Sequence, residues 1–279
     1  MINTTILSVV TFIYFGSFVF YLFNMVTGRK FWGPMASLTA LIGLLSHTVS
    51  LIIRWIESYN LGIGHIPLSN FYESLTFFAW TIIFLYLIVE WRTKNKSFGT
   101  FVVPFAFILM AFASLSPDIN NRIQPLIPAL QSNWLTIHVI TCFLGYASFA
   151  ISCSLGLMYL LKKLEYSQKN SSIFPRFIPS LAILDEMNYQ SIVLGFVFLT
   201  LGIMTGAIWA HYAWGTYWSW DPKETWSFIT WLIYATILHT RFIRGWRGKR
   251  MAIAAIIGFA SVLFTYLGVN YLPSLHSYL

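Results

Sequence analysis

The chain has 279 residues, of which 57% are hydrophobic and only 9% are charged. About a quarter of the residues are charged in a typical soluble domain, so this composition excludes an ordinary soluble protein. The formal charge of +8 does not indicate nucleic-acid binding, because the basic residues lie in short clusters between long apolar runs. The composition predicts an all-α, polytopic membrane helical bundle that forms a single membrane domain over residues 1–279.

Eight apolar runs follow one another, each long enough as a helix to cross a hydrocarbon core about 30 Å thick. We predict membrane-spanning helices at about 3–24, 35–57, 71–91, 99–116, 134–161, 188–212, 225–243 and 251–269. The first run lacks preceding basic residues and an obvious cleavage site, so we expect it to be retained as a helix. The connection 162–187 contains Pro175 and Pro179 and is predicted to be an interfacial loop.

The basic residues alternate between the two ends of these helices. All but three of the 17 Lys and Arg residues fall at one end, and the exceptions are Arg54, Arg122 and Lys223. Loops rich in Lys and Arg stay on the cytoplasmic side of a membrane. We therefore expect both termini on the non-cytoplasmic (lumenal or periplasmic) side, together with the connections 60–74, 117–134 and 213–226.

Cys142 and Cys153 are the two cysteines, and both lie in predicted helix five. They do not form a Cys-x-x-Cys motif, so thiol–disulfide chemistry is not expected to be the function. We predict that both are small apolar packing residues.

The segment AWGTYWSWDPKETW at residues 213–226, called here the Trp-rich segment, is the densest group of aromatic rings in the outer loops. An aromatic belt at the lipid headgroups explains two or three such rings. A surface that binds a flat ligand explains the whole set, and both interpretations remain open at this point. The rings and the charged residues among them are Trp214, Tyr217, Trp218, Trp220, Asp221, Lys223, Glu224 and Trp226.

The six histidines are predicted to lie at different depths. Four belong to the outer end, one to the inner end of helix seven and one to the middle of helix two; they are His65, His138, His211 and His276, then His239, then His47. A flat aromatic ligand that carries iron needs ring faces to stack on and neutral imidazoles as axial ligands. The outer end offers both features, but the spacing of the histidines does not choose a pair.

The stretch WGTYWSWDPKETWSFITW at residues 214–231 resembles the tryptophan-rich (WWD) signature of the heme-handling protein family of cytochrome c assembly. The wider pattern is similar to the CcsA group of this family in plastids and bacteria. The supporting stretches are HIPLSNFYESLTFFAW (65–80), LIPALQSNWLTIHV (126–139), LHTR (238–241) and GVNYLPSLHSY (268–278). Together they reach across most of the chain.

The resemblance implies a protein that binds heme b, carries it to the outer face and presents it to the Cys-x-x-Cys-His motif of apocytochrome c. It implies a membrane partner of the Ccs1/CcsB (ResB) type and a role within a holocytochrome c synthase (heme lyase) complex. The plastid thylakoid membrane is the expected location, with a bacterial cytoplasmic membrane as the alternative.

The resemblance also assigns residues. It implies that His138 and His276 are the axial ligands of heme at the outer end. It also implies that His239 is a ligand at an inner heme site, where the partner protein supplies the opposite ligand. His47 matches no heme ligand of the family pattern, and the alternative is that it acts as a substitute or auxiliary ligand. No ligand role is expected for His65 or His211. The residues that hold heme at the outer end are then Trp214, Tyr217, Trp218, Trp220, Asp221 and Trp226.

The remaining charged residues allow more than one role. Lys223 or Arg122 pairs with heme propionates, while Asp221 and Glu224 cap predicted helix seven. Arg54 reaches the interface or pairs with Glu57 or a propionate. Few residues could act as a strong acid or base at the thioether-forming centre, so we expect catalysis to rest mainly on the positioning of the reactants.

Three other functions compete with heme presentation. A b-type electron-transfer protein would keep its hemes fixed, and a heme exporter would need a path for heme but no Trp-rich segment. A scaffold that only docks the assembly partner would bind no heme.

Overall fold

A computed structural model describes residues 2–167 and 178–272, without the side chains of 165–167 and 271. The described residues contain eight α-helices and two short 3-10 turns, Pro128–Leu130 and Gly268–Tyr271, so the expected all-α fold is confirmed. The helices are α1 (Ile2–Thr27), α2 (Trp32–Asn60), α3 (Phe71–Thr93), α4 (Gly99–Leu115), α5 (Asn133–Ser167), α6 (Leu181–Trp214), α7 (Pro222–Arg244) and α8 (Lys249–Tyr266).

Six of these helices are long and apolar enough to cross a membrane, namely α1, α2, α3, α5, α6 and α8. The apolar helix α4 is shorter, with 17 residues, and α7 is long enough at 23 residues but more polar. The chain is therefore a multi-pass membrane protein. Which side of the membrane each terminus occupies stays a prediction.

Helix α5 lies at the centre of the bundle. Its most apolar window is 78% buried, more than that of any other candidate span in the described residues. It packs against α6, α8, α3 and α4, while α1 packs on α2 and α4. The end of the bundle that carries the turn between α6 and α7 is called the outer end below.

Small residues bring α5 and α6 into close contact. A side chain at Gly202 would place its Cβ 2.5 Å from the sulfur of Cys142, and one at Gly145 would lie 3.1 Å from the backbone nitrogen of Leu199. Interfaces between membrane helices are rich in small residues because these allow the backbones to approach each other. This contact fixes the outer half of α5 against α6.

The predicted interfacial loop 162–187 is wrong at both ends. Helix α5 continues to Ser167, and α6 already begins at Leu181, after Ser180, whose hydroxyl caps the backbone N–H of Ile183. The polar Asp185 lies inside α6 because Arg241 donates to it at 2.6 Å and the backbone N–H of Gly248 donates at 2.6 Å. A buried carboxylate with such partners is compatible with a helix in the bundle.

Candidate functional site

The outer end contains a cavity of about 180 Å³ that opens to the surface. Helix α3 begins along one side, and the outer halves of α5 and α6, the α6–α7 turn, the start of α7 and the end of α8 complete the lining. We call it the outer cavity.

Aromatic side chains close the outer cavity toward the centre of the bundle. The ring of Tyr266 lies edge-on to those of Phe143 and Phe78, each with its centroid 5.5 Å away. The hydroxyl of Tyr266 lies 2.9 Å from that of Ser74 on α3. Edge-to-face packing of this kind adds about 0.5–1.5 kcal/mol per pair beyond the buried area. The inner surface of the outer cavity is therefore apolar and is held in place by contacts between aromatic rings.

His138 lies on the α5 side of the outer cavity. Its Nδ1 is 2.7 Å from the carbonyl oxygen of Gly202 on α6. A carbonyl only accepts hydrogen bonds, so Nδ1 carries the proton and the lone pair belongs to Nε2. Nε2 has no partner among the described residues. A metal-binding imidazole is oriented in the same way, through the nitrogen that does not bind the metal.

Trp209 supports the ring of His138 and was not singled out from the sequence. The two rings stack with centroids 5.9 Å apart and an angle of 16° between their planes. The indole of Trp209 is buried, donates to the carbonyl of Ala129 at 2.8 Å, and meets the ring of Trp214 edge-on. Its position five residues before Trp214 in AIWAHYAW was the available signal.

The Trp-rich segment is only partly a loop. Trp214 ends α6 and Trp226 lies in the second turn of α7, so the non-helical part is 215–221. Among its predicted heme-binding rings, Tyr217 and Trp218 line the outer cavity. Trp218 packs edge-on against Trp220, with ring centroids 5.8 Å apart. Tyr217 and Trp218 are therefore the aromatic residues of the segment that are placed to contact a ligand inside the cavity.

Three of the predicted rings do not line the outer cavity. Trp226 packs on Phe264 of α8, and Trp214 packs on Trp209 behind His138. Trp220 has a φ of 60° and is 69% exposed. A bulky residue in this left-handed conformation costs about 1–3 kcal/mol, and such strain clusters at functional sites. The strain turns an indole outward near the opening of the cavity.

Asp221 and Glu224 cap helix α7, as the sequence analysis predicted. The carboxylate of Asp221 accepts from the backbone N–H of Lys223 at 3.0 Å, and Glu224 accepts from the backbone N–H groups of Asp221 and Ser219. This reciprocal capping box satisfies donors that a helix start leaves unpaired. Asp221 is buried in this role and is not among the residues that line the outer cavity, whereas Glu224 is.

Lys223 lines the outer cavity, and its ammonium group donates to the side-chain oxygen of Asn270 at 3.0 Å. Arg122, the other basic residue of the predicted outer loops, is exposed and does not line the cavity. Its carbonyl oxygen accepts from Asn70 at 3.4 Å, which places its backbone near the rim.

Arg54 forms a buried ion pair with Glu73, at 2.8 Å, rather than reaching the interface or pairing with Glu57. Glu73 also accepts from the backbone N–H and the hydroxyl of Ser69, both at 2.8 Å. Arg54 donates to the carbonyl of Asn121 at 2.9 Å. The pair therefore fixes the segment before α3, which lines the outer cavity, to α2 and to the loop that holds Arg122.

The remaining histidines are placed as follows. His239 lies on the exposed face of α7, far from the outer cavity, since Pro222 to His239 spans about 26 Å of helix. Both ring nitrogens of His65 contact carbonyls, at 2.9 and 3.0 Å, and His211 stacks on Tyr217. His47 is buried against the hydroxyl of Tyr14. His276 lies outside the described residues.

The two cysteines differ in their surroundings. Both are free thiols. Cys153 is buried in the core, as expected of a packing residue. Cys142 lines the outer cavity one turn after His138, with its sulfur 3.7 Å from Nδ1 of that residue. Its position four residues after His138 was the signal that it shares a helix face with the histidine.

A family model described as cytochrome C assembly protein matches residues 68–276. The chain belongs to the cytochrome c assembly protein family. It is 42% identical over 261 residues to the cytochrome c biogenesis protein CcsA of Chlorella vulgaris, which covers 83% of this chain and 81% of that relative. It is 40% identical over 255 residues to the CcsA of Prochlorococcus marinus, with 82% and 79% covered.

The fold is also that of a solved cytochrome c heme lyase CcmF, with a TM-score of 0.69 and 17% sequence identity. The match covers 95% of this chain and 46% of that one, so this cytochrome c assembly protein spans less than half of the CcmF chain. The family match begins at Leu68, the first residue that lines the outer cavity, and ends at His276. Helices α1 and α2 precede it.

Proposed function

We propose that this protein acts in cytochrome c assembly by holding heme in the outer cavity and presenting it to apocytochrome c. The observation that carries the proposal is the arrangement of His138. Its proton is held on Nδ1 by Gly202, its ring is held by Trp209, and Nε2 is available as an axial nitrogen in a cavity lined with aromatic rings. Heme b, with an apolar ring and an iron that accepts imidazole, fits this donor set.

His276 supplies the second axial imidazole in this proposal. It follows Asn270, which lines the outer cavity, by six residues. When the apocytochrome arrives, the histidine of its Cys-x-x-Cys-His motif replaces one of the two imidazoles. This exchange removes one bond between the protein and the heme, so the protein binds its product more weakly.

The reaction joins each cysteine thiol of the apocytochrome to a heme vinyl group. Sulfur bonds to one vinyl carbon and hydrogen to the other, so no further reactant is needed. The chain contributes position: Tyr217 and Trp218 line the cavity beside the heme, and Trp220 faces outward near the opening. Holding reactants in attack geometry can lower a barrier by about 7–11 kcal/mol. The protein then acts as part of a holocytochrome c synthase (heme lyase) complex.

His239 belongs to an inner heme site in this proposal. Leu232, Thr236 and His239 are all exposed, and their spacing of four and three residues places them on one face of α7. The imidazole of His239 therefore faces away from the bundle. A membrane partner of the Ccs1/CcsB (ResB) type supplies the opposite ligand. Heme passes from this site to the outer cavity, which in a plastid thylakoid membrane faces the lumen.

The test is a transfer experiment with the purified protein. We expect oxidised and reduced absorption spectra typical of a heme with two imidazole ligands. After a Cys-x-x-Cys-His peptide is added with the partner protein, covalent heme should appear on the peptide, whereas a Ser-x-x-Ser-His peptide should receive none. Heme that binds but never leaves the protein would support a b-type electron-transfer function instead. A protein without heme absorbance would support the docking scaffold.

A further inference from the structure

The outer cavity has two chemically different sides. The side formed by α5 and α6 is apolar apart from His138, the thiol of Cys142 and the hydroxyl of Tyr146. The start of α7 and the end of α8 contribute charged and polar groups, whereas the polar groups at the start of α3 are uncharged. Heme has a matching asymmetry, because its two propionates lie on the edge away from the vinyl groups. A cavity of this polarity favours the orientation that brings the propionates toward α7 and α8.

Lys223 is the cationic side chain on the polar side. Among the described residues that line the outer cavity, it is the only Lys or Arg. Its ammonium group is held by the side-chain oxygen of Asn270, which is itself fixed because its amide donates to the carbonyl of Tyr266 at 3.0 Å. An ammonium carries three N–H donors, so it can hold Asn270 and a propionate oxygen together.

The neighbouring carboxylates do not prevent anion binding on this side. Glu224 also lines the cavity, but one of its oxygens accepts from two backbone N–H groups and the hydroxyl of Ser219. Asp221 accepts from the first turn of α7. Both carboxylates are thus engaged by the helix start, where backbone N–H groups favour negative charge.

We infer that Lys223, held in place by Asn270, binds a heme propionate and thereby fixes the orientation of heme in the outer cavity. The inference rests on the proposed function and decides between the two basic residues that the sequence left open. Arg122 is exposed outside the cavity lining, whereas Lys223 faces the space that His138 faces. With a propionate held at α7, the vinyl edge lies toward the α5–α6 side.

The experiment compares two ligands, hemin and hemin dimethyl ester, in which both propionates are esterified. Each is titrated into the purified full-length protein, and binding is followed by absorbance. A hydrogen bond to a charged group contributes enough to change affinity about ten- to a hundredfold. We expect the wild-type protein to bind hemin about that much more tightly than the ester.

Variants of Lys223 test whether this residue causes the difference in affinity between hemin and the ester. Lys223→Met should weaken hemin binding by the same factor, about ten- to a hundredfold, and so remove the preference over the ester, while Lys223→Arg should keep the preference. Only the side chain changes, because the backbone N–H of Lys223 makes the contact with Asp221. Arg122→Gln is the matched control and should keep the full preference.

Equal affinity of the wild-type protein for both ligands would overturn the inference. So would a preference that survives in Lys223→Met or disappears in Arg122→Gln. In each of these cases hemin binding that depends on His138 leaves the proposed function intact. If hemin does not bind the wild-type protein, the proposed function fails and the inference fails with it.

Discussion

A Cβ atom placed on Gly206 would lie 2.6 Å from Nδ1 of His138, closer than any packing allows. The absence of a side chain at this one position of α6 leaves room for the imidazole between the two helices. It also lets Nδ1 reach the carbonyl of Gly202. The orientation of the proposed axial ligand thus depends on the absence of a side chain at Gly206, which itself lines the outer cavity.

Gly206→Ala should therefore reduce heme retention at least tenfold, because the added methyl group displaces the imidazole from the carbonyl of Gly202. Alanine favours a helix over glycine by about 1 kcal/mol, so the helix itself should not be weakened. Hemin titration and thermal unfolding measure the two effects. Gly16→Ala in α1 is the control, since no heavy atom lies within 4 Å of its Cβ position. Equal heme loss in both variants would contradict the proposed role.

His138→Ala should abolish the spectrum of a heme with two imidazole ligands and stop cytochrome c maturation. Added imidazole should restore part of the activity, because the small molecule can occupy the space that the side chain leaves. His276→Ala should behave in the same way. His211→Ala should leave the spectrum of two imidazole ligands intact, because its ring is not among those that line the outer cavity. Maturation at the normal level in the His138 variant would exclude its axial role.

Trp218→Leu should weaken heme retention severalfold, because the residue lines the outer cavity and stacking on a flat ring is lost. The control is Trp91→Leu, an exposed tryptophan at the inner end of α3. Heme per protein, measured by the pyridine hemochrome absorbance, reports the difference. If both variants retain heme equally well, the outer cavity is not where the indole acts.

His239→Ala should lower the heme content of the outer cavity as well, if heme passes the inner site first. The reason is spatial: about 26 Å of helix separates His239 from the start of α7, so a single heme cannot reach both sites. The measurement is heme content after growth with the partner protein. The control is Thr236→Ala, one turn earlier on the same exposed face. An undiminished outer heme load would reject this order of sites.

Arg54→Gln should lower the free energy of unfolding by about 3–5 kcal/mol, because it leaves the buried carboxylate of Glu73 without its ionic partner. The double variant Arg54→Gln, Glu73→Gln should cost less than the sum of the single variants, which denaturant titration in micelles can measure. Glu186→Gln, whose carboxylate lies 3.4 Å from the guanidinium of Arg241, is the control and should not couple to Arg54. Additive effects of Arg54 and Glu73 would show that the pair is not an energetic unit.

Much of the architecture follows directly from the amino-acid pattern. Eight apolar runs correspond to eight helices, and the Asp-Pro-Lys-Glu motif predicts the capped start of α7. The predicted loop 162–187 was too long, because α5 and α6 both extend into it. Asp185 continues α6 because Arg241 and the backbone of Gly248, both distant in the chain, satisfy its carboxylate.

The sequence alone determined a membrane bundle with aromatic rings and histidines at its outer end, since hydropathy and helix capping are local properties of the chain. It did not determine that Trp209 supports His138 or that Arg54 pairs with Glu73. Nor did it determine that Lys223, and not Arg122, lines the cavity. Those outcomes depend on which atoms distant helices bring within about 3 Å of each other, the range of a hydrogen bond. Only the tertiary structure decides that.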